Sequence, residues 1–227
     1  MTVERTDAEQ AALNEIQTIS FARIAAAIAN LERVSYQEHI SIQEYPADAD
    51  LTVKPIGTRS YTKLVGPGAS DVDSTSIVFD SDNVSVIADI ADEKLPITRP
   101  SLPFDLPPVF LSERQMDNFS YAKRDTIMGG ADFVTYTIVE YGKSIGESPY
   151  TILVVEESSR EVIQVISWSL TSAFLFRSED KVVLEIAKSD STWLPAQYRY
   201  ELAIKTPFRK KRQFKVDKTY DYLAPVV

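Results

Sequence analysis

The 227-residue chain contains no cysteine and a single histidine, His39. Without cysteine it cannot form a disulfide, a thiolate metal site or a cysteine nucleophile. One histidine excludes a His-rich zinc site, and a Ser-His-Asp triad would have to use His39. GxSxG, Walker and HExxH motifs are absent as well, so the common hydrolase, nucleotide-binding and zinc chemistries have no support. We therefore expect a protein that is not an enzyme and that uses neither a cofactor nor a metal.

Basic residues are in the minority, because 24 Lys and Arg stand against 33 Asp and Glu, for a net charge of −9. This balance argues against a protein whose whole surface binds nucleic acid. No window approaches the ~18 consecutive apolar residues of a membrane-spanning helix. The first residues, MTVERTDAEQAALNE, show no apolar stretch after a basic start. We expect either a cytoplasmic protein or a periplasmic, cell-envelope domain whose leader has been removed.

The first predicted element is a helix over residues 7–32. Thr6 and Glu9 have the spacing of a capping box, in which each side chain accepts a hydrogen bond from the backbone N–H of the other residue. Apolar residues follow at helical spacing, namely Leu13, Ile16, Phe21, Ile24, Ile28 and Leu31. The pattern predicts one long N-terminal helix whose apolar stripe packs on a flat surface.

After the helix the period of the pattern changes from 3.6 to 2. Apolar and polar residues alternate from Val34 to Gln43, which is typical of a half-buried strand. Residues 33–94 are predicted to hold the first strands, and residues 112–227 an antiparallel β meander with a hairpin turn at 156–161. The further predicted strands are residues 56–65, 77–79, 84–87, 133–139, 150–155, 162–170, 174–176, 181–187, 198–204 and 208–216.

Neither a repeat of fixed period nor a Gly- or Ser-rich linker divides the chain. We therefore predict one domain over residues 1–227, of mainly β (α+β) class. Its architecture would be a curved antiparallel sheet, or half-barrel, packed on the long N-terminal helix.

Residues 95–111 form a segment that is both proline-rich and apolar. Five prolines fall within residues 95–108, and proline neither donates to a sheet ladder nor continues a helix. A plain linker would be polar, which this segment is not. We expect a lid or loop that packs on the body of the protein or covers an opening in it.

Aromatic residues crowd the β half of the chain. One interpretation is that they fill the core of the sheet. The other is that they line an apolar cavity between the sheet and the helix, which would bind acyl chains by burying apolar area. The candidate residues for the cavity and its lid are Leu102, Phe104, Leu106, Phe110, Phe133, Tyr136, Trp168, Phe174, Phe176 and Trp193.

Three polar features have a functional and a plain interpretation. His39 is either a catalytic or ligand-binding side chain or a solvated histidine on the polar face of a strand. The acidic runs 71–76 and 80–83 resemble calcium loops, but they lack the Gly and Glu that an EF-hand loop requires. We favour the plain interpretation for all three, with solvated turns at the acidic runs and no metal site.

The balance of charge reverses near the C-terminus. Residues 199–227 hold eight basic side chains and three acidic ones. The run Arg209, Lys210, Lys211 and Arg212 could contact an anionic membrane surface or an acidic protein partner. Alternatively, it is a basic hairpin turn that complements an acidic body.

Several stretches appear in an order that is characteristic of a family. A leading helix runs into ANLERVSY (29–36) and a first strand, Gly129 and Gly130 precede a later strand, VVEE (154–157) enters a hairpin, and STWLPAQY (191–198) precedes the closing strands. The chain thereby resembles the periplasmic lipoprotein-carrier and lipoprotein-sorting superfamily. The resemblance implies an unclosed, strongly curved antiparallel sheet wrapped over helices, with a lipid-binding hollow, and it assigns no individual functional residue.

Two functions are compatible with these observations. The first is non-catalytic, carrier-like binding of a lipid or a lipidated polypeptide at the cell envelope, with residues 95–111 as the lid. The second is a structural or interaction subunit of a larger assembly, which would dock through its sheet edges and the basic run and would have no ligand cavity.

Overall fold

The computed structural model describes residues 4–47, 50–66, 99–128, 131–173, 176–205 and 211–223. Within these ranges the chain forms two α-helices, two 3₁₀ helices and nine strands. The helices are α1 (Asp7–Ile16) and α2 (Ala22–Asn30), and the 3₁₀ helices are η1 (Val109–Leu111) and η2 (Met116–Asn118). The strands are β1 (Tyr36–Tyr45), β2 (Gly57–Val65), β3 (Phe119–Met128), β4 (Ala131–Glu140), β5 (Tyr150–Glu156), β6 (Glu161–Ala173), β7 (Phe176–Ser189), β8 (Thr192–Lys205) and β9 (Arg212–Tyr222).

All nine strands belong to one open antiparallel sheet, in the order β2-β1-β9-β8-β7-β6-β5-β4-β3. Neighbours in sequence are neighbours in space from β3 to β9, and the β1–β2 hairpin adds to the far side of β9. The predicted mainly β class and antiparallel sheet are thereby confirmed. The sequence did not predict β3, and the predicted strands at 77–79 and 84–87 lie outside the described residues.

α1 begins at the predicted capping box. The backbone N–H of Glu9 donates to Thr6 Oγ1 at 3.2 Å, and the backbone N–H of Thr6 donates to Glu9 Oε2 at 3.0 Å. These bonds satisfy donors that the first turn of a helix leaves without a backbone partner. The buried residues of α1 are Ala12, Leu13 and Ile16.

A break between Gln17 and Phe21 divides the predicted helix over residues 7–32, so the prediction of one long helix is wrong. The backbone N–H of Ser20 donates to the carbonyl of Arg160 at 2.9 Å, and the carbonyl of Ser20 accepts from the backbone N–H of Val162 at 3.0 Å. Both partners belong to the β5–β6 hairpin. Because the sheet holds Ser20 by its backbone, helical hydrogen bonding cannot continue through it.

Side chains alternate between two faces of the sheet. The inner face is the one that α1 and α2 cover, and it presents fully buried residues such as Tyr136 on β4 and Leu153 on β5. The outer face presents the residues between them, such as Phe133 on β4 and Trp168 on β6. Both described α-helices cover the inner face, and the largest cluster of buried apolar residues lies between them and the sheet.

The proline-rich segment packs into the part of the inner face next to β3. Phe110 is 3% exposed, and its ring lies 5.4 Å from that of Phe104 and 6.4 Å from that of Phe119, each edge-to-face. Phe104 also meets Phe21, which precedes α2, at 6.0 Å. The Tyr121 hydroxyl donates to the carbonyl of Phe110 at 2.5 Å. We call these five aromatic residues the β3-side core.

A hydrogen-bonded cluster fixes α1 to the same part of the sheet. The buried Tyr136 hydroxyl donates to Glu15 Oε2 at 2.6 Å, and Lys123 Nζ lies 3.0 Å from the same carboxylate. Arg160 donates to the Tyr136 hydroxyl at 3.1 Å and to the carbonyl of Glu15 at 2.8 Å. The Tyr136 hydrogen bond, with help from Lys123, holds the pKa of Glu15 below its usual value. We call these four residues the α1 anchor.

Candidate ligand-binding site

A cavity of about 420 Å³ opens at the β2 edge of the sheet, between α2 and the β1–β2 hairpin. Its volume lies within the range of about 300–1,000 Å³ that small-molecule sites occupy. The residues that line it are Ile28, Leu31, Glu32, Tyr36, Lys63, Leu64, Val65, Gly66, Arg99 and Pro100.

The apolar part of the lining comes from one stripe of α2 and one cross-strand pair. Ile28 on α2 and Leu31 at its C-cap are three residues apart, so they lie on the same side of the helix. Tyr36 and Val65 are directly opposite each other on β1 and β2. These four side chains line the cavity between the C-terminal end of α2 and the β1–β2 hairpin, and they give it an apolar floor.

Gly66 closes this edge tightly. Its φ is +138°, and a Cβ placed on it would lie 2.5 Å from the Ser35 Cα and 2.7 Å from the carbonyl oxygen of Val34. Only glycine allows the chain leaving β2 to pass so near the chain entering β1. This close approach brings Val65 next to Tyr36 at the mouth of the cavity.

The rim of the cavity is charged. Lys63 and Arg99 supply two positive charges, and Glu32 supplies one negative charge. Arg99 Nη1 lies 3.6 Å from Glu32 Oε1, with both side chains more than 70% exposed, so this ion pair is a weak one. Lys63 has no ion-pair partner among the residues that the structure describes.

Tyr36 joins the apolar floor to this rim. It is 3% exposed, and its ring lies 5.7 Å from that of Tyr220 and 5.8 Å from that of Tyr222. Within the described part of the chain its hydroxyl makes no hydrogen bond. Burial, and then the charge of Glu38, raise the pKa of the Tyr36 hydroxyl, while the nearby Arg99 lowers it. The hydroxyl is therefore a neutral donor with no acceptor among the described residues, in a site that a ligand can reach.

A buried ion pair lies further along the inner face. Lys218 Nζ donates to Glu38 Oε1 at 3.0 Å, and the two residues are 3% and 7% exposed. The pair joins β9 to β1 two residues from Tyr36, and removing either partner would leave a buried charge uncompensated. A second apolar cluster follows beyond the pair, formed by Ile40, Ile42, Leu202, Phe214 and Val216.

The residues predicted to line a cavity are spread over several parts of the molecule. Phe104 and Phe110 belong to the β3-side core and Leu102 packs against the same core, while Leu106 is 44% exposed. Tyr136 belongs to the α1 anchor. None of the described members of the predicted set lines the cavity.

The remaining members of that set divide between the two faces. Phe133 and Trp168 lie on the outer face, where Trp168 stacks on Tyr150 at 5.9 Å. Trp193 is held against α2, since the Arg23 guanidinium lies 4.4 Å above its ring and Asn30 Nδ2 donates to its carbonyl at 3.3 Å. Phe174 lies outside the described residues, and of Phe176 only the backbone is described.

The basic run is described in part. Arg209 and Lys210 lie outside the described residues, whereas Lys211 directly precedes β9 and Arg212 is its first residue. Arg212 Nε donates to Glu44 Oε1 at 3.0 Å, and its guanidinium lies 4.9 Å from the centre of the Phe214 ring. The charge of Arg212 is thus engaged within the protein.

His39 lies on the outer face near the β2 edge. Its Nδ1 is 2.9 Å from Thr62 Oγ1, and its Nε2 is 2.8 Å from Asp221 Oδ2. The acidic runs 71–76 and 80–83 lie outside the described residues. Across the described ranges, no group of three or more metal-binding side chains occurs. No helix in those ranges has the length and hydropathy to cross a bilayer.

Sequence reasoning did not find the cavity, although one signal was available. The alternation of side chains in β2 places Lys63 on the same face as Tyr61 and Val65, which is the inner face. A charged side chain at an inward position is unusual next to a core. Lys63 therefore marked the point at which the inner face stops being packed.

Comparisons with known proteins found few similarities. No protein-family model matches the chain, and no curated protein sequence matches it. Among solved structures, the chain is similar to a DUF1329 family protein from Desulfovibrio piger, with 14% sequence identity over 98% of this chain and 96% of that chain, at a TM-score of 0.31.

Proposed function

We propose that the protein is a non-catalytic, carrier-like binder of an apolar ligand, either a lipid or the acyl part of a lipidated polypeptide. The observation that carries this proposal is the cavity of about 420 Å³ with its floor of Ile28, Leu31, Tyr36 and Val65. Each buried methylene contributes ~0.8 kcal/mol. About ten of them would offset an association cost of ~4–15 kcal/mol.

The surroundings that this function requires are part of the same proposal. The sheet would curl as a half-barrel over the helices, and the ligand would enter at the mouth of the cavity, between α2 and the β1–β2 hairpin. The protein would act in the periplasm or elsewhere in the cell envelope, where acyl chains need a carrier through water.

The experiment is a fluorescence titration of the purified protein with N-phenyl-1-naphthylamine, a neutral apolar dye that brightens when it leaves water. We expect saturable binding, and native mass spectrometry of protein prepared without detergent should show one ligand per chain. Ile28→Trp should abolish dye binding, because the indole would fill the cavity. Ile166→Trp, at a half-buried site on the outer face, is the matched control and should leave dye binding unchanged.

A second candidate function is that of an interaction subunit without a ligand. It is favoured by the outer face, where Tyr150 stacks on Trp168 and the neighbouring Ile152, Ile166 and Leu170 are only partly buried. Contiguous apolar surface of this kind marks protein interfaces. If neither the dye nor a fatty acid binds and Ile28→Trp behaves as the parent protein, this candidate takes the place of the first.

A further inference from the structure

The rim of the cavity is positive although the protein as a whole is negative. Lys63 and Arg99 outnumber Glu32 at the mouth, whereas the chain carries a net charge of −9. Such a rim would repel a cationic ligand and attract an anionic one.

The neutral donor at the mouth points to the same chemistry. The Tyr36 hydroxyl has no hydrogen-bond partner in the described part of the chain and is not among the buried polar atoms that lack one, so it faces space that water or a ligand can occupy. An incoming carboxylate or phosphate would accept its hydrogen bond and receive further donors from the ammonium of Lys63 and the guanidinium of Arg99. Hydrogen bonds to an ionised acceptor are roughly twice as strong as neutral ones.

We propose that the ligand of this cavity is an anionic single-chain amphiphile, whose carboxylate or phosphate binds at Tyr36, Lys63 and Arg99 while its alkyl chain lies on Ile28, Leu31 and Val65. This inference rests on the proposed function and names the ligand class for the same site. Glu32 competes with the headgroup for Arg99, so ligand binding exchanges a weak, exposed ion pair for a stronger one.

The test measures how well two ligands of equal chain length displace the dye. Dodecanoate at pH 8 carries the anionic headgroup, and 1-dodecanol carries a neutral one. We expect dodecanoate to bind about tenfold more tightly, since each rim cation should contribute about two- to fivefold. The preference should shrink at high salt, which screens charges at an exposed rim.

Variants of the rim residues measure what the headgroup contributes to affinity, apart from the alkyl chain. Lys63→Gln and Arg99→Gln should each weaken dodecanoate about two- to fivefold and leave 1-dodecanol unchanged. Glu32→Gln should strengthen dodecanoate, because it frees Arg99. Lys143→Gln and Arg114→Gln remove the same charges from exposed positions outside the cavity lining, and they should change neither ligand.

The outcomes distinguish the inference from the function on which it rests. If neither dodecanoate nor 1-dodecanol displaces the dye, the proposed function fails. If both bind equally, or if the control variants reduce dodecanoate as much as the rim variants do, only the anionic specificity is overturned. Millimolar acetate and inorganic phosphate test whether the site binds an anion that has no alkyl chain. Displacement of dodecanoate by either would show a plain anion site and overturn the requirement for an alkyl chain.

Discussion

The two sides of the inner face are packed in different ways. On the β3 side, the rings of Phe21, Phe104, Phe110 and Phe119 meet edge-to-face, and the proline-rich segment contributes two of them to a packed aromatic core. On the β2 side, α2 and the β1–β2 hairpin leave a cavity of about 420 Å³. Phe104 and Phe110, which were predicted from the sequence to line a cavity, therefore pack against other aromatic side chains instead.

Side-chain geometry explains the difference. Edge-to-face rings on separate segments interlock and exclude water, and prolines fix the backbone of the segment that carries Phe104 and Phe110 at little entropic cost. The β2 side offers the aliphatic Ile28 and Leu31 from a short helix, with charged residues at the rim. Charges cannot be packed into a core without partners, so the space beside them stays open.

Truncating one buried side chain on the β3 side and one on the β2 side should give the largest losses of stability, and the two losses should differ most. Phe110→Ala should lower the free energy of unfolding by ~3–5 kcal/mol, whereas Leu31→Ala, which borders space that is already open, should cost about 2 kcal/mol. Leu106→Ala, at an exposed position of the same proline-rich segment, should stay within about 0.5 kcal/mol. Chemical denaturation measures all three.

Dye binding decides whether the proline-rich segment is a core element or a lid. With the cavity on the β2 side, the folded Phe110→Ala protein should bind N-phenyl-1-naphthylamine as the parent does, and Leu31→Ala should alter binding. A Phe110→Ala protein of parental stability with much weaker dye binding would restore the lid interpretation and reverse the comparison.

The α1 anchor should give the next largest effect, because it belongs to the filled side. Tyr136→Phe removes the hydrogen bond to Glu15, and a bond to a charged group is worth ~1.5–3 kcal/mol. The folded-state pKa of Glu15 is depressed, so the unfolded state binds the proton more readily. The stability from this carboxylate is thus present above its unfolded pKa of about 4.5 and is lost as pH falls through the folded value.

Denaturation curves between pH 3 and pH 7 would measure this dependence. Glu15→Gln should flatten the acid part of the stability profile, and Tyr136→Phe should reduce its slope. Glu157→Gln is the control, at an exposed position of the β5–β6 turn. An unchanged acid profile in Glu15→Gln would show that other carboxylates account for the loss of stability.

Most strands could be predicted from the sequence, because apolar and polar residues alternate clearly in them. The prediction failed where this alternation is interrupted. β3 was missed because Lys123, Arg124 and Asp125 are consecutive in it, as is common in an edge strand that must resist further pairing. The break at Ser20 was missed because it depends on hydrogen bonds to the distant β5–β6 hairpin. A local sign existed, since the apolar stripe steps by five residues from Ile16 to Phe21 instead of three or four.

The cavity was harder to predict, because a hollow depends on which faces meet. Period 2 shows that Tyr136 and Phe133 point to opposite faces, so the predicted aromatic set could never have lined one space. Which strand neighbours β1 is not a local property, and pairing with β9 is what places Tyr36 beside Tyr222. Apolar residues on α2 were correctly expected to pack on the sheet, but their spacing does not reveal that Ile28 and Leu31, at the C-terminal end of the helix, border a cavity.

The capping box of α1 should give a smaller effect. Thr6→Ala removes the acceptor for the Glu9 N–H, and we expect a loss of ~0.5–2 kcal/mol. Because α1 covers the filled side, dye binding should be unaffected. Thr52→Ala, in an exposed turn, controls for loss of a hydroxyl. An unchanged denaturation midpoint in Thr6→Ala would show that α1 is held by its anchor alone.

The smallest expected effect is spectroscopic, and it separates the cavity from the outer face. Trp193 touches α2 through Arg23 and Asn30, and α2 supplies two residues of the cavity floor. A ligand there should shift Trp193 emission slightly, because the indole senses α2 without lining the cavity. Trp168→Phe leaves Trp193 as the only indole and should keep the response to dodecanoate. Trp193→Phe leaves Trp168, stacked on Tyr150 across the sheet, and should lose it. The opposite result would place the ligand on the outer face and remove the cavity from the mechanism of binding.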